Sequence, residues 1–164
     1  MILQHRLRAN NTHPAINVLK RYGQLPKIHC FAGQLNQVFM NIFTNAVDAI
    51  QELYNQRSPN ENEFCPGRIT ISTAMIGAHW VKIVITDNGL GMPEQVRQKI
   101  FNPFYTTKPV GKGTGIGMSI SYQIVIEKHR GKLDCLSKIG QGTAFIIQIP
   151  LDCPDNKTAP ALEI

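Results

Sequence analysis

Apolar residues recur at steps of three and four across residues 33–54, at Leu35, Val38, Phe39, Ile42, Ala46, Ala49 and Leu53, and this spacing predicts a long amphipathic helix. Before it, ILQHRLRA, INVLKRYG and PKIHCF alternate over short distances and are separated by Asn, Gly and Pro, the pattern of three short strands within residues 1–31. After it, the polar stretch NQRSPNENEFCPG (residues 55–67) reads as an exposed loop, and RITISTAMI and WVKIVITD alternate as a strand pair. PEQVRQKIF, with Pro93 suited to a first helical turn, predicts a short helix, and IGMSISYQIVIEKHRG a longer one stopped by Gly131. KLDCLSKI and TAFIIQIP, split by Gly140 and Gly142, predict a closing hairpin. Strands and helices alternate without regular βαβ spacing, so the expected fold is α+β: a two-layer α/β sandwich with a mixed, mostly antiparallel sheet against about three helices. Residues 1–151 are expected to form one domain, and the polar, Pro-containing stretch 152–164 a disordered tail.

Composition narrows this picture only slightly. A chain of 164 residues has room for one ordinary core. No stretch approaches the roughly 20 apolar residues of a membrane span, and MILQHRLRANN lacks the pattern of a signal peptide, so a soluble, cytoplasmic chain is expected. The net charge of +6 suits an anionic partner, but the basic residues are scattered without interleaved aromatics, which argues against nucleic acid. Cys30, Cys65, Cys135 and Cys153 form no C-x-x-C pair or zinc-ligand spacing, and the five histidines are isolated in sequence.

Three stretches carry candidate chemistry. On the long helix, Asn41, Asn45 and Asp48 share one face at i, i+4 and i+7. Asn is a poor helix-interior residue, and amide and carboxylate oxygens suit a hard Mg²⁺ that bridges phosphates, although a solvated face would look the same. Asp87-Asn88-Gly89-Leu90-Gly91 follows directly on a strand; it could be an ordinary turn, or a carboxylate placed to accept a hydrogen bond from an adenine amino group, with glycines allowing close approach of the ring. FNPFYTTKPVGKGTGIGMS places Gly111, Gly113, Gly115 and Gly117 on alternate positions. It matches neither G-x-x-x-x-G-K-[ST] nor G-x-G-x-x-G, and remains a cationic, donor-rich segment running into a helix N-terminus, suited to close over phosphates as a lid.

Together, LNQVFMNIFTNAVDAI, DNGLGM, FNPFYTTK and GKGTGIGMS resemble, in order, the N box, first glycine box, F box and second glycine box of the histidine-kinase ATP-binding domain. That domain belongs to the superfamily of gyrase-type, heat-shock-chaperone and mismatch-repair ATPases, whose fold is the Bergerat type. The resemblance covers roughly residues 1–150, including the late QGTAF. It implies ATP and Mg²⁺ as ligands, with Asn45 as the metal-coordinating residue and Asn41 near metal and phosphate. Asp87 is implied as the adenine reader, Gly89 and Gly91 as its close-approach glycines, Met92 as part of the same box, and Thr143 as a supporting contact. Lys108 resembles a phosphate contact, so that Asn41, Asn45 and Lys108 form the implied catalytic set. Gly113, Thr114, Gly115, Gly117 and Met118 are implied to line the lid and following helix, with Phe101, Phe104 and Tyr105 packing its base and Tyr105 counted among the nucleotide-binding residues.

Two departures qualify the resemblance. Gyrase-type ATPases have a water-activating Glu where this chain has Asn41, and an amide cannot accept that proton at neutral pH. Asp48 stands at a variable position and is expected to serve the metal or the surface. The resemblance further implies phosphoryl transfer to a His on a helical hairpin, and a response regulator as downstream partner. No such hairpin is expected here, because LQHRL at His5 reads as a strand with no acid following. A monomeric catalytic fragment of a longer sensor kinase is the reading; a gyrase- or mismatch-repair-type ATPase, an anti-sigma-factor Ser/Thr kinase and a degenerate nucleotide sensor are the alternatives.

Overall fold

The computed structural model describes residues 4–9, 13–58, 65–109, 113–152 and 161–162. Residues 59–64 of the expected loop, Gly111 and Lys112 of the glycine run, and most of the tail lie outside the described residues. The chain runs α1 (Gln4–Leu7), β1 (Asn17–Tyr22), β2 (Ile28–His29), α2 (Ala32–Gln56), β3 (Arg68–Ile76), β4 (Trp80–Asp87), α3 (Glu94–Arg97), α4 (Gly117–Gln123), β5 (Lys132–Lys138), β6 (Gly142–Pro150) and β7 (Ala161–Leu162). The main sheet has the order β1-β3-β4-β6-β5, parallel only between β1 and β3. This is the expected mixed, mostly antiparallel sheet with helices on one face.

Helix α2 forms for the reason its periodicity gives. Leu35, Val38, Ile42, Ala46, Val47, Ile50 and Leu53 are all buried along one stripe. That stripe packs on the inward residues of the central strands: Val81, Ile83 and Ile85 of β4, and Phe145, Ile147 and Ile149 of β6. Each such side chain contributes about 1.5–3 kcal/mol on burial. No side chain caps the start of α2 at Phe31, so packing rather than capping sustains it.

Two local expectations need correction. The first apolar piece is not a strand: Gln4–Leu7 makes one helical turn, and its end is tied to the sheet by Ile16 N–H donating to the Leu7 carbonyl at 2.9 Å. Ala161–Leu162 pairs antiparallel with β2, so these two residues of the expected disordered tail have a defined place.

The helix after the glycine run changes geometry midway. Beyond Gln123 it widens into a π-helical turn, Ile124–Lys128, with His129 N–H bonding back five residues to the Ile124 carbonyl at 3.2 Å. This brings His129 into the interior, only 1% exposed. Its Nδ1 lies 2.9 Å from the same carbonyl, which can only accept, so Nδ1 carries the proton. Nε2 in turn accepts the Phe31 N–H at 3.0 Å, at the start of α2. The neutral ring thus joins two helices with both nitrogens satisfied, and burial lowers its pKa.

A depressed histidine pKa stabilises the fold fully above the unfolded value of about 6.5, and that contribution is lost as the pH falls toward the folded value. Melting midpoints at pH 7.5 and 5.5 should therefore differ more for the parent chain than for His129→Phe. The variant should be less stable at both pH values, because Phe31 N–H loses its acceptor. An equal pH response of the two proteins would remove this role.

Candidate nucleotide site

The site begins at the end of β4. Asp87 is the last residue of that buried strand and its side chain is 3% exposed. Oδ1 accepts the Gly89 N–H at 2.8 Å. Burial raises the carboxyl pKa to about 6, against the opposing pull of the Gly89, Thr143 and Asp87 N–H groups. Opposite it in register on β6 stands Thr143, also buried. Asn88 continues the strand by bonding the Arg68 N–H through Oδ1 at 2.7 Å.

The glycines around Asp87 lie hard against protein backbone. A Cβ on Gly89 would stand 2.8 Å from the Ala49 backbone of α2, and one on Gly91 only 2.0 Å from the Lys138 carbonyl. One on Gly142 would stand 2.1 Å from the Asp87 carbonyl, and Gly91 and Gly142 also have φ of +71° and +85°. They let three segments of protein backbone meet. Leu90 N–H reaches the Ala49 carbonyl at 3.4 Å, and Gly140 N–H reaches the Leu90 carbonyl at 2.7 Å, which fixes the Asp87–Met92 loop between α2 and the β5–β6 turn. Met92 is half-buried against the core, and its N–H donates to Ser137 Oγ at 2.8 Å.

Ala49, which receives that loop, lies one turn beyond Asn45 on α2, so the polar face of the helix adjoins the Asp87 end. Lys108 reaches this face from the segment after the F box. Its ammonium donates to Asn45 Oδ1 at 3.0 Å and to Asp48 Oδ2 at 2.5 Å. Arg6 of α1 approaches Asp48 from the other side, with Nη2 2.5 Å from Oδ1 and 2.7 Å from Gln51 Oε1. Burial is the largest single influence on the Asp48 carboxyl and pushes its pKa up, but the two cations together outweigh it and hold the pKa below the usual range. Asp48 is thus an ionised bridge between Arg6 and Lys108. No motif or spacing in the sequence points to Arg6.

Asn41 is committed elsewhere. Its Nδ2 donates to the Gly117 carbonyl at 2.9 Å and lies 3.1 Å from Ser121 Oγ, fastening α2 to the first turn of α4. Gly117 presses close to this amide, and Met118 beside it is a core residue, 6% exposed. In the lid base, Phe101 packs on Tyr122 with ring centroids 5.4 Å apart. Phe104 differs from expectation: its ring is 77% exposed, because its backbone, at φ +62°, turns to lie under Gly115, whose Cβ would stand 2.5 Å from the Phe104 carbonyl carbon. Tyr105 is half-buried, and its N–H bonds the Asn102 carbonyl at 3.2 Å. Gly113 lies against Thr106 and Lys108, and Thr114 Oγ1 stands 3.4 Å from Ile116 N–H at the entry to α4. A cleft of about 430 Å³ along the β5–β6 hairpin is lined by Thr86, Arg97, Leu136 and Ala144 together with Ser137 and Thr143, and Asp87 is not among its walls.

The sequence finds its counterparts among known proteins. Residues 32–153 match the family model described as histidine kinase-, DNA gyrase B-, and HSP90-like ATPase. Sporulation kinase E of Bacillus subtilis (strain 168) is 35% identical over 127 residues, which are 77% of this chain and 15% of that protein. The sensor histidine kinase ZraS of Escherichia coli (strain K12) is 31% identical over 150 residues, 92% of this chain and 26% of the relative. The chain therefore spans only about 15–26% of the length of these relatives. Among solved structures, the nucleotide-free catalytic domain of histidine kinase ThkA aligns with a TM-score of 0.66 at 28% identity, covering 84% of this chain and 81% of that one.

The buried Asp87 carboxyl costs the empty fold stability at neutral pH. A carboxyl whose pKa is raised to about 6 favours folding below its unfolded value of about 3.9 and loses that contribution as the pH rises through 6. Asp87→Asn retains an oxygen for Gly89 N–H and should stabilise the ligand-free chain at pH 7 by on the order of 1–3 kcal/mol in urea denaturation. The gain should vanish near pH 4; a gain independent of pH would contradict the assignment.

Proposed function

Because the chain belongs to the family of histidine kinase-, DNA gyrase B-, and HSP90-like ATPases, we propose that it binds Mg-ATP and presents the γ-phosphoryl group to a histidine on a separate helical domain, as the catalytic part of a sensor histidine kinase. Asp87, backed by Thr143, receives the adenine amino group at the closed end of the site. Asn45 lies about one turn away on α2, where the phosphates would extend, and the α4 N-terminus and Lys108 supply positive charge.

Asn45 and Asp48 fit a hard cation: amide and carboxylate oxygens already converge on the Lys108 ammonium. Asn45 would hold Mg²⁺, with Asp48 beside it, and the bound ion would neutralise phosphate charge. Lys108 must leave Asn45 Oδ1 for this to happen, and its flexible side chain can then pair with the phosphates. The protein supplies position and charge, and the imidazole of the acceptor supplies the lone pair.

The observation that carries phosphoryl transfer, in preference to hydrolysis, is the state of Asn41. Its amide nitrogen is spent on Gly117 and Ser121, and an amide oxygen is too weak a base to take a proton from water. The nearest carboxylate on the same helix face, Asp48, is held ionised by two cations and is a poor base for the same reason. A response regulator downstream and a cytoplasmic location follow from the same reading. No helix among the described residues is long and apolar enough to cross a membrane.

Incubation with ATP, Mg²⁺ and a histidine-bearing dimerisation hairpin should yield acid-labile phosphohistidine; phosphoserine or free phosphate alone would favour a Ser/Thr kinase or an ATPase. In titration calorimetry, Asn45→Ala should nearly abolish Mg²⁺-dependent ATP binding with an unchanged melting midpoint, and unchanged affinity would remove Asn45 from the metal site. Asp87→Asn should weaken ATP binding by about 1.5–3 kcal/mol, the range for a hydrogen bond to a charged group.

A further inference from the structure

Asp87, Thr143 and Ser137 form a row across the rim of the sheet. Thr143 pairs in register with Asp87 of β4 on one side and with Ser137 of β5 on the other. Ser137 lies outside the four boxes, yet its hydroxyl makes three contacts. It takes the Met92 N–H at 2.8 Å, lies 3.1 Å from the Gly142 carbonyl, and lies 2.9 Å from Thr143 Oγ1.

The supply of protons decides how these contacts are made. A serine hydroxyl has one proton and two lone pairs. The Gly142 carbonyl can only accept, so the Ser137 proton goes there; the Met92 N–H can only donate, so it occupies one lone pair. The contact with Thr143 is then satisfied only if the Thr143 hydroxyl donates to the second lone pair. One arrangement uses every group, and in it Thr143 has no proton left for a ligand. Its Oγ1 offers lone pairs only, as does the Asp87 carboxylate beside it.

We propose that Ser137 is a positioning residue for base selection: by taking the Thr143 hydroxyl proton it makes the Asp87–Thr143 wall a surface of acceptors, which suits a 6-aminopurine nucleotide and rejects a 6-oxopurine. The exocyclic amine of adenine has two N–H donors for such a wall. A 6-oxopurine puts an acceptor where adenine puts that amine, and its one donor on this edge, the ring N1–H, lies on the neighbouring atom, so at position 6 acceptors face one another without a proton. Without Ser137, the Thr143 hydroxyl is able to turn and donate to a 6-oxo group. The inference rests on the nucleotide-binding reading above.

ATP and ITP, which differ at this edge of the base, are the probes. Their affinities are compared by calorimetry for the parent chain, Ser137→Ala, Ser137→Thr, Thr143→Val and the Ser137→Ala/Thr143→Val pair, with melting midpoints to verify folding. Ser137→Ala should reduce the ATP-to-ITP affinity ratio about 3- to 10-fold, chiefly by improving ITP binding, and Ser137→Thr should restore it. In the Thr143→Val background, Ser137→Ala should leave the ratio unchanged, since the effect travels through the Thr143 hydroxyl. If Ser137→Ala does not fold, Ser137→Cys, close in shape but a weak hydrogen-bonder, is read in its place. Equal weakening of both nucleotides, or the same effect with and without Thr143, overturns the proposal. A parent chain that binds ATP with an unresponsive ratio defeats this inference alone, whereas a parent that binds no ATP defeats the nucleotide reading as well.

Discussion

Three backbones meet at the end of β4 with no room for a Cβ among them, and the site depends on that meeting. Gly89 lies on the Ala49 backbone of α2, Gly91 on Lys138 and Gly142 on Asp87. With side chains at these points, the helix that carries Asn45 and the hairpin that carries Thr143 would stand apart from the loop that carries Asp87. The two ends of the candidate site would lose their common frame. The close approach also explains how Asp87 comes to be both buried and bonded: the strand end is sealed by protein on two sides, so its carboxylate meets N–H groups rather than water.

The other end of the site is organised by charge. Asp48 holds Arg6 and Lys108 at once, which links α1, α2 and the segment after the F box through side chains alone. Those side chains are about a third exposed or less, so the contacts belong to a half-wet environment where ion pairs are weak and exchangeable. The glycine clamp is tightly fitted and this ionic end is loosely held, so the two ends of the candidate site differ in how far they can adapt.

The long periodic elements were legible in the sequence because their burial stripes repeat. Seven apolar positions announce α2, and alternation announces β3, β4, β5 and β6. The first piece was misread because a single turn such as Gln4–Leu7 is too short to distinguish a period of 3.6 from one of 2. Asp87 could be picked out by its place after a buried strand, but the purpose of its glycines could not, since their neighbours come from elsewhere in the chain. The Lys108–Asp48 pair and the Ser137–Thr143 pair were hidden for the same reason. A lone serine has no spacing to betray it, and the helix-face spacing that picks out Asp48 says nothing of its cations; only the register of the sheet and the path of the lid bring the partners together.

The π-helical turn at Ile124–Lys128 has a bearing on how the sequence could drift. A wide turn contains one residue more than an α-helical turn of the same rise, so deleting a residue there would leave the helix about as long as before. Because five residues complete the wide turn where about four complete an α-helical one, the deletion would also leave β5 entered in nearly the same phase. What it would remove is the reach of His129 N–H back over five residues, and with it the seat of the ring against the start of α2. The segment is thus forgiving of a lost residue in length and direction, and strict only about the one contact that the wide turn builds.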